Sequence, residues 1–457
     1  MTYSQERRRL IVRGGRVVTP LRTFAADIVI EAGCIVAIEP YGSASASTVI
    51  DAGERLILPG LVDSHVHARD PGQTHKEDFL TASRAAARGG VTTIMAMPNT
   101  APLVDGLAGF DAAVEAAGKS IVDVAIQALA TAASLPSIAA LAQRGVVSFE
   151  MFLGGGPDAL ITKSRAMQKA LFEAVAACGG LMGVYPDDGD VSSQLDSGGE
   201  ALAIASAHPA EVEAGALLLV LALAAATRCP VHVRQTSTAL SALVISEMRQ
   251  RSMAGLLTAE VTPHHLTLTT EDFARFGPEG LIMPPLRESA DIGALWQAVE
   301  HGDIATIGTD HAPHHVDEKT PGRGDLRLAL PGFPGLETFL PVILTEWRQR
   351  GLSDQAFVDL ACGRPARLFG LGDRKGALRP GLDADIVIVD DHVDETIDSS
   401  AFLSKAKYSP FHGRRVKARV DVTMLRGEIV FEGGAVRGDG PTGRLQRRIP
   451  MRSGGAP

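Results

Sequence analysis

Between residues 62 and 313 a short β-like run followed by a change of texture recurs eight times. The runs are VDSHVHAR (62–69), VTTIMAMPN (91–99), IVDVAIQALA (121–130), VVSFEMFL (146–153), GLMGVYPDD (180–188), CPVHVRQTS (229–237), LLTAEVTPH (256–264) and ATIGTDHAP (305–313). Most are separated by segments of helical composition, such as LTASRAAARGG (80–90) and RAMQKALFEAVAACGG (165–180). Strand then helix, eight times over, predicts an α/β chain folded as a (β/α)8 TIM-type barrel. Each run begins apolar and ends polar. In such barrels the C-terminal strand ends line the mouth, so chemistry is expected at those endings.

The flanks read differently. Residues 10–57 alternate β-rich runs with Gly-containing turns, and the texture returns at ADIVIVD (384–390) and VDVTMLRGEIVFEGG (420–434). The expected organisation is a small β-sandwich built from both termini (1–57 and 371–438) around a barrel at 58–370. Residues 439–457 are expected to be a flexible basic tail.

At 457 residues the chain is long enough for a large core. A net charge of -9 gives no basic character to attract nucleic acid. Cys34, Cys178, Cys229 and Cys362 form no Cys-x-x-Cys pair, which argues for a reducing compartment and against a disulfide framework. The N-terminus has no apolar core of a signal peptide, and the apolar run at 216–226 is too short to span a bilayer. A cytoplasmic location is expected.

Period-two alternation puts His65, His67 and Arg69 on one face of the first run. Two readings of the histidines are open: a hydrogen-bonded core pair, or two imidazoles converging on a metal. Asp310, at the end of the eighth run, favours the metal over a mere turn or helix-capping role. That run neighbours the first in a closed barrel, so its carboxylate completes a His-His-Asp site and exchanges protons with a metal-bound water.

Collinear stretches across almost the whole chain carry a resemblance. They include LPGLVDSHVHARDPGQTHKEDF, GGVTTIMAMPNTAP, EVTPHHLTLT, PPLRE, GTDHAPHHVDEK and GFPGLETFLP. With these the sequence resembles the amidohydrolase superfamily, in its dihydroorotase, allantoinase and hydantoinase branch. The resemblance implies hydrolytic opening of a cyclic amide or ureide by metal-hydroxide attack, with Asp310 as catalytic proton shuttle. It implies His65, His67 and Asp310 as ligands of the more buried metal. It also implies Arg69, Asn99 and His314 as holders of a substrate carboxylate, and a dimer or tetramer as the assembly.

Three positions of the metal site depart from the family pattern. Glu150 stands where many relatives carry a carboxylated lysine bridging two metals. Tyr185 and Gln235 stand where histidines of the second metal are usual. One zinc, with manganese as the alternative, is therefore expected, held by His65, His67, Asp310 and Glu150, with Tyr185 turned to substrate contact. Met283 replaces an asparagine that would meet the ring of dihydroorotate, which favours another carboxylated cyclic amide or imide as substrate. The competing reading is a catalytically silent dihydroorotase-like subunit that scaffolds aspartate transcarbamoylase. His264 and His265 read as packing residues, and residues 311–336 as a mobile lid over the mouth.

Overall fold

A computed structural model describes residues 9–154, 159–195, 198–438 and 440–448. Four N-terminal strands, β1 (Leu10–Val18), β2 (Thr23–Glu31), β3 (Cys34–Pro40) and β4 (Thr48–Pro59), open the chain. The parallel strands that follow are β5 (Leu61–Val66), β6 (Val91–Ala96), β7 (Asp123–Ile126), β8 (Ala128–Leu129) and β9 (Phe149–Phe152). They continue with β10 (Met182–Tyr185), β11 (Val231–Val233), β12 (Leu257–Val261) and β13 (Thr306–Ile307). Each of the eight expected runs contains a strand. The third holds two, β7 and β8, interrupted at Gln127, and the eighth holds only two strand residues before the chain turns irregular.

Strands β5, β6 and β7 lie in one parallel sheet and β8 to β13 in a second. A parallel bridge between Val66 and His311 joins the first strand to the segment after the last, and His67 N–H donates to the His311 carbonyl at 2.8 Å. The strands are buried on both faces, as sheets sandwiched between helices are. The helix Phe79–Arg88 shows how the crossovers are specified. Asp78 caps it by accepting from the Thr81 N–H, and its alanine-rich face is buried.

The C-terminal strands β14 (Ile386–Asp390), β17 (Arg419–Leu425), β18 (Glu428–Glu432) and β19 (Ala435–Val436) return to the N-terminal ones. Between them β15 (Glu395–Thr396) and β16 (Arg415–Val416) form a separate small pair. One eight-stranded sheet, ordered β19-β18-β17-β14-β4-β1-β2-β3, is thus built from both ends of the chain. Strand β14 supplies the seam, pairing antiparallel with β4.

The C-terminal segment differs from the flexible tail expected of it. Leu445 and Gln446 form β20, which pairs in parallel with β7. Arg448 donates to the carbonyls of Val147, Leu368 and Gly179. Its guanidinium thus ends in carbonyl acceptors, while Arg444 and Arg447 stay exposed. Residues 449–457 and 439 lie outside the described residues.

The apolar stretch Ala201–Thr227 is long and hydrophobic enough for a membrane span by length and composition. It is two helices, broken at His208–Pro209, and the second buries Leu217, Val220, Leu221 and Ala224 against the core.

Candidate active site

A cavity of about 380 Å³ opens at the C-terminal ends of the parallel strands. His65, His67, Arg69, Asn99, Glu150, Tyr185, Asp310 and His314 all line it. At its floor the Nε2 atoms of His65 and His67 lie 3.4 and 3.2 Å from Asp310 Oδ1. These three residues form a cluster of converging ligand atoms.

The far side of each imidazole is fixed. Glu260 Oε1 accepts from His65 Nδ1 at 2.7 Å, and Asn99 Oδ1 accepts from His67 Nδ1 at 2.8 Å. With Nδ1 engaged on the far side, each ring turns its Nε2 to the cluster, the atom a metal would take. Burial drops the His67 pKa to about 4 and keeps it neutral. For His65 burial acts in the same direction, but Glu260 and Asp310 outweigh it and raise its pKa. Burial alone would raise Asp310; His65 and His67 hold it below the usual carboxylate range. Gln235, standing where a histidine of the second metal is usual, donates its amide to Asp310 Oδ2 at 2.6 Å and to the Met283 carbonyl at 3.2 Å.

Arg69, Gln235 and Asp310 all have left-handed backbones, with φ of 59°, 50° and 45°. Such conformations cost non-glycine residues of order 1–3 kcal/mol each and concentrate at functional sites. Here they end the first, sixth and eighth runs and tip the side chains into the mouth.

Glu150 sits differently from its expected place as a ligand. Its Oε1 and Oε2 accept from Arg234 Nη2 and Nε at 2.7 and 3.1 Å, and it is not part of the converging cluster. An arginine at the end of β11, two strands along the sheet from β9, has claimed both oxygens. Arg234 also reaches Glu260 Oε2 at 2.8 Å, so one guanidinium links Glu150 to the residue that orients His65. Glycines make the room: a Cβ on Gly183 would fall 2.1 Å from Glu150 Oε2, and one on Gly308 2.5 Å from Glu260 Oε2. Burial opposes both charges, yet Arg234 holds Glu150 below its ordinary pKa and Glu260 well below it.

On the upper wall, His314 Nε2 donates to the Pro331 carbonyl at 2.9 Å, leaving Nδ1 to accept from Lys76 at 3.3 Å. Arg69 Nη2, 3.1 Å from that same protonated Nε2, cannot then donate to it. Arg69 keeps one acceptor, the Pro313 carbonyl at 3.2 Å, and its remaining donors serve the cavity it lines. Burial lowers its pKa to about 10, so it stays charged. A nearly buried guanidinium with spare donors has the chemistry to grip an anion. Tyr185 is buried in the wall, and burial pushes its hydroxyl well above its ordinary pKa. His265 bonds to Thr262 and Pro284, while His264 packs edge-on to Phe333, in keeping with their packing role.

Sequence reasoning missed Glu260, Arg234 and Lys76. The signal for the first two was a charge inside an otherwise apolar run, at LLTAEV and PVHVR.

Two oriented imidazoles and a carboxylate at the mouth of a parallel α/β sheet form the donor set of a metal-dependent hydrolase. Comparison with known proteins agrees. The model of the amidohydrolase family matches residues 56–180 and 199–430. The chain is 34% identical to an L-hydantoinase of Paenarthrobacter aurescens, over 93% of this chain and 95% of that one. It is 34% identical to an allantoinase of Streptomyces avermitilis, over 96% and 99%, and 32% identical to a dihydroorotase of Geobacter sp., over 93% and 100%. Among solved structures, the L-hydantoinase (dihydropyrimidinase) from Arthrobacter aurescens superposes with a TM-score of 0.92 at 33% identity, covering 96% of this chain and 99% of that one. The chain belongs to the amidohydrolase family.

Proposed function

We propose that the chain is a cyclic amidohydrolase that opens a small cyclic amide, imide or ureide bearing an anionic group, using one divalent ion per chain. The observation that carries this reading is the convergence of His65 Nε2, His67 Nε2 and Asp310 Oδ1, with both rings held from behind at Nδ1. Zinc suits two imidazoles and a carboxylate, with manganese as the alternative. The reading takes the eight parallel strands as a closed (β/α)8 barrel with a β-sandwich built from both termini. The Val66–His311 bridge and the L-hydantoinase neighbour support that closure.

Held by these three residues, a divalent ion would acidify a water and polarise the ring carbonyl. Asp310 would take the proton of the attacking water and pass it to the leaving ring nitrogen as the C–N bond breaks. Gln235, by donating to Oδ2, would keep that carboxylate aimed. Arg69, with Lys76 and the Asn99 amide nearby, would hold the anionic group, and Tyr185 would contact the ring from the wall.

The scaffold reading finds no support. The relatives that the chain matches over 93–96% of its length are named for hydrolytic activities. A scaffold also has no need of oriented, converging donors. The unpaired cysteines suit a reducing, cytoplasmic setting. Exposed Leu218 and Leu243, on adjoining helices, offer apolar surface for a homo-oligomer.

Elemental analysis of wild type and His67→Ala, with a ring-opening assay on hydantoins, allantoin, dihydropyrimidines and dihydroorotate, tests the proposal. We expect about one equivalent of metal and turnover of one ring class, both lost in His67→Ala. Metal-free, inactive wild type after resupply with zinc or manganese would overturn it.

A further inference from the structure

The geometry points to Arg234 as a built-in cation that limits the metal site to one ion; this rests on the one-metal reading above. Arg234 is 1% exposed, and every N–H of its guanidinium has an acceptor. Nε and one Nη2 proton go to Glu150, the other Nη2 proton to Gln127 Oε1, and Nη1 to the Ser64 carbonyl at 3.1 Å and Glu260 at 2.8 Å. A lysine could not make this set, because it lacks the planar fork.

The arrangement is built into the backbone. Gly183 and Gly308 leave the space that the two carboxylates fill, and any side chain there would collide with them. Geometry gives the arrangement its meaning. Both oxygens of Glu150 and one of Glu260 are spent on Arg234, so neither carboxylate is free to hold a second ion beside His65, His67 and Asp310. The guanidinium already stands as the cation between them, and a second ion placed there would set like charges side by side in a buried cluster.

The guanidinium also acts through its neighbours. Glu260 accepts from Arg234 with Oε2 and from His65 with Oε1, so the arginine orients the carboxylate that orients a ligand. Arg234 is thus a positioning residue and a determinant of metal count. Glu150 serves it as a counter-ion rather than serving the metal.

The test is titration of metal-free protein with Zn2+ and with Mn2+ by calorimetry, on wild type, Glu150→Gln, Arg234→Lys and Arg234→Ala, with far-ultraviolet circular dichroism as a check of folding. Wild type, Glu150→Gln and Arg234→Lys should each take one equivalent. For Glu150→Gln the Kd should stay within about threefold of wild type. Arg234→Ala empties a space lined by oxygen donors, which suits a hard ion. It should admit a second equivalent of Mn2+ and weaken the first about 10–100-fold, the range seen when a ligand's supporting partner is lost. Two equivalents in wild type would overturn the inference, as would loss of the ion in Glu150→Gln, or one equivalent at unchanged affinity in Arg234→Ala. If Arg234→Ala does not fold, the Glu150→Gln and Arg234→Lys results decide. Wild type that takes no ion condemns the proposed function instead.

Discussion

Asn99 turns its carbonyl oxygen to His67 Nδ1 and so decides which nitrogen of that ring is left for a metal. Family resemblance implied a substrate contact for Asn99; the hydrogen bond adds an orienting role. Asn99→Ala should weaken metal binding about 10–100-fold, read by competition against a chelator, while Asn99→Asp keeps the acceptor and most of the affinity. Tyr185→Phe should lower kcat/KM with metal content unchanged; an unchanged rate would remove Tyr185 from the substrate's surroundings. What was legible at this scale follows from where information lies along the chain. His65 and His67 are one residue apart, and Asp310 stands out as an acid ending the eighth run. The ion pairs were not legible. Arg234 meets Glu150 and Glu260 from positions 84 and 26 residues away, and His65 meets Glu260 across 195 residues. A single sequence gave Glu150 a free carboxylate because nothing near it showed that Arg234 would claim it.

The segment 311–336 is the element that roofs the site. Its composition of His, Gly and Pro marked it as irregular, and the structure gives it a short helix, Val316–Lys319, followed by 3-10 turns at Thr320–Arg323 and Leu326–Leu328. Leu330, Pro331 and Gly332 line the cavity. What holds this roof down was hidden in sequence. Lys319 reads as a surface residue, yet it is 1% exposed, with Nζ 3.3 Å from the Leu281 carbonyl and 5.9 Å from the Tyr408 ring centre. Burial, then the charge of Arg69, lowers its pKa to about 7, against the pull of Glu279 and Glu318. The folded chain therefore binds fewer protons here than the unfolded chain between pH 7 and 10.5. Stability should rise with pH across that window, by up to about 1.4 kcal/mol per unit from this group. Lys319→Met should flatten that rise and stabilise the protein at pH 7, measured by urea unfolding at several pH values. An unaltered pH slope would show that the ammonium reaches water.

At the scale of the whole molecule, one buried charge cluster ties the parts together. Lys375 Nζ lies 2.5 Å from Asp123 Oδ2, 2.9 Å from Asp383 and 2.5 Å from Asp385, while Arg426 reaches Asp123 at 2.7 Å. Asp123 begins β7, Lys375 precedes the returning sheet, and Arg426 sits in the turn between β17 and β18. Lys375→Met leaves three carboxylates short of a cation, and should cost about 3–5 kcal/mol of stability, read as a lower urea midpoint. Truncation after Gly440 should also destabilise the fold, because Arg444 N–H and Gln446 Nε2 both donate to Asp123. The two-ended β unit was legible from its alternating runs, but the docking of the tail was not, since Gly, Pro and Arg in series resemble a solvated end. The same arrangement bears on how the protein is made. Asp123 leaves the ribosome 252 residues ahead of Lys375 and 323 ahead of Gln446. At about 5–20 residues per second, β7 waits tens of seconds for the side chains that neutralise it. The strand that closes the edge of β7 is thus made long after β7 itself, so that edge stays open until β20 has emerged.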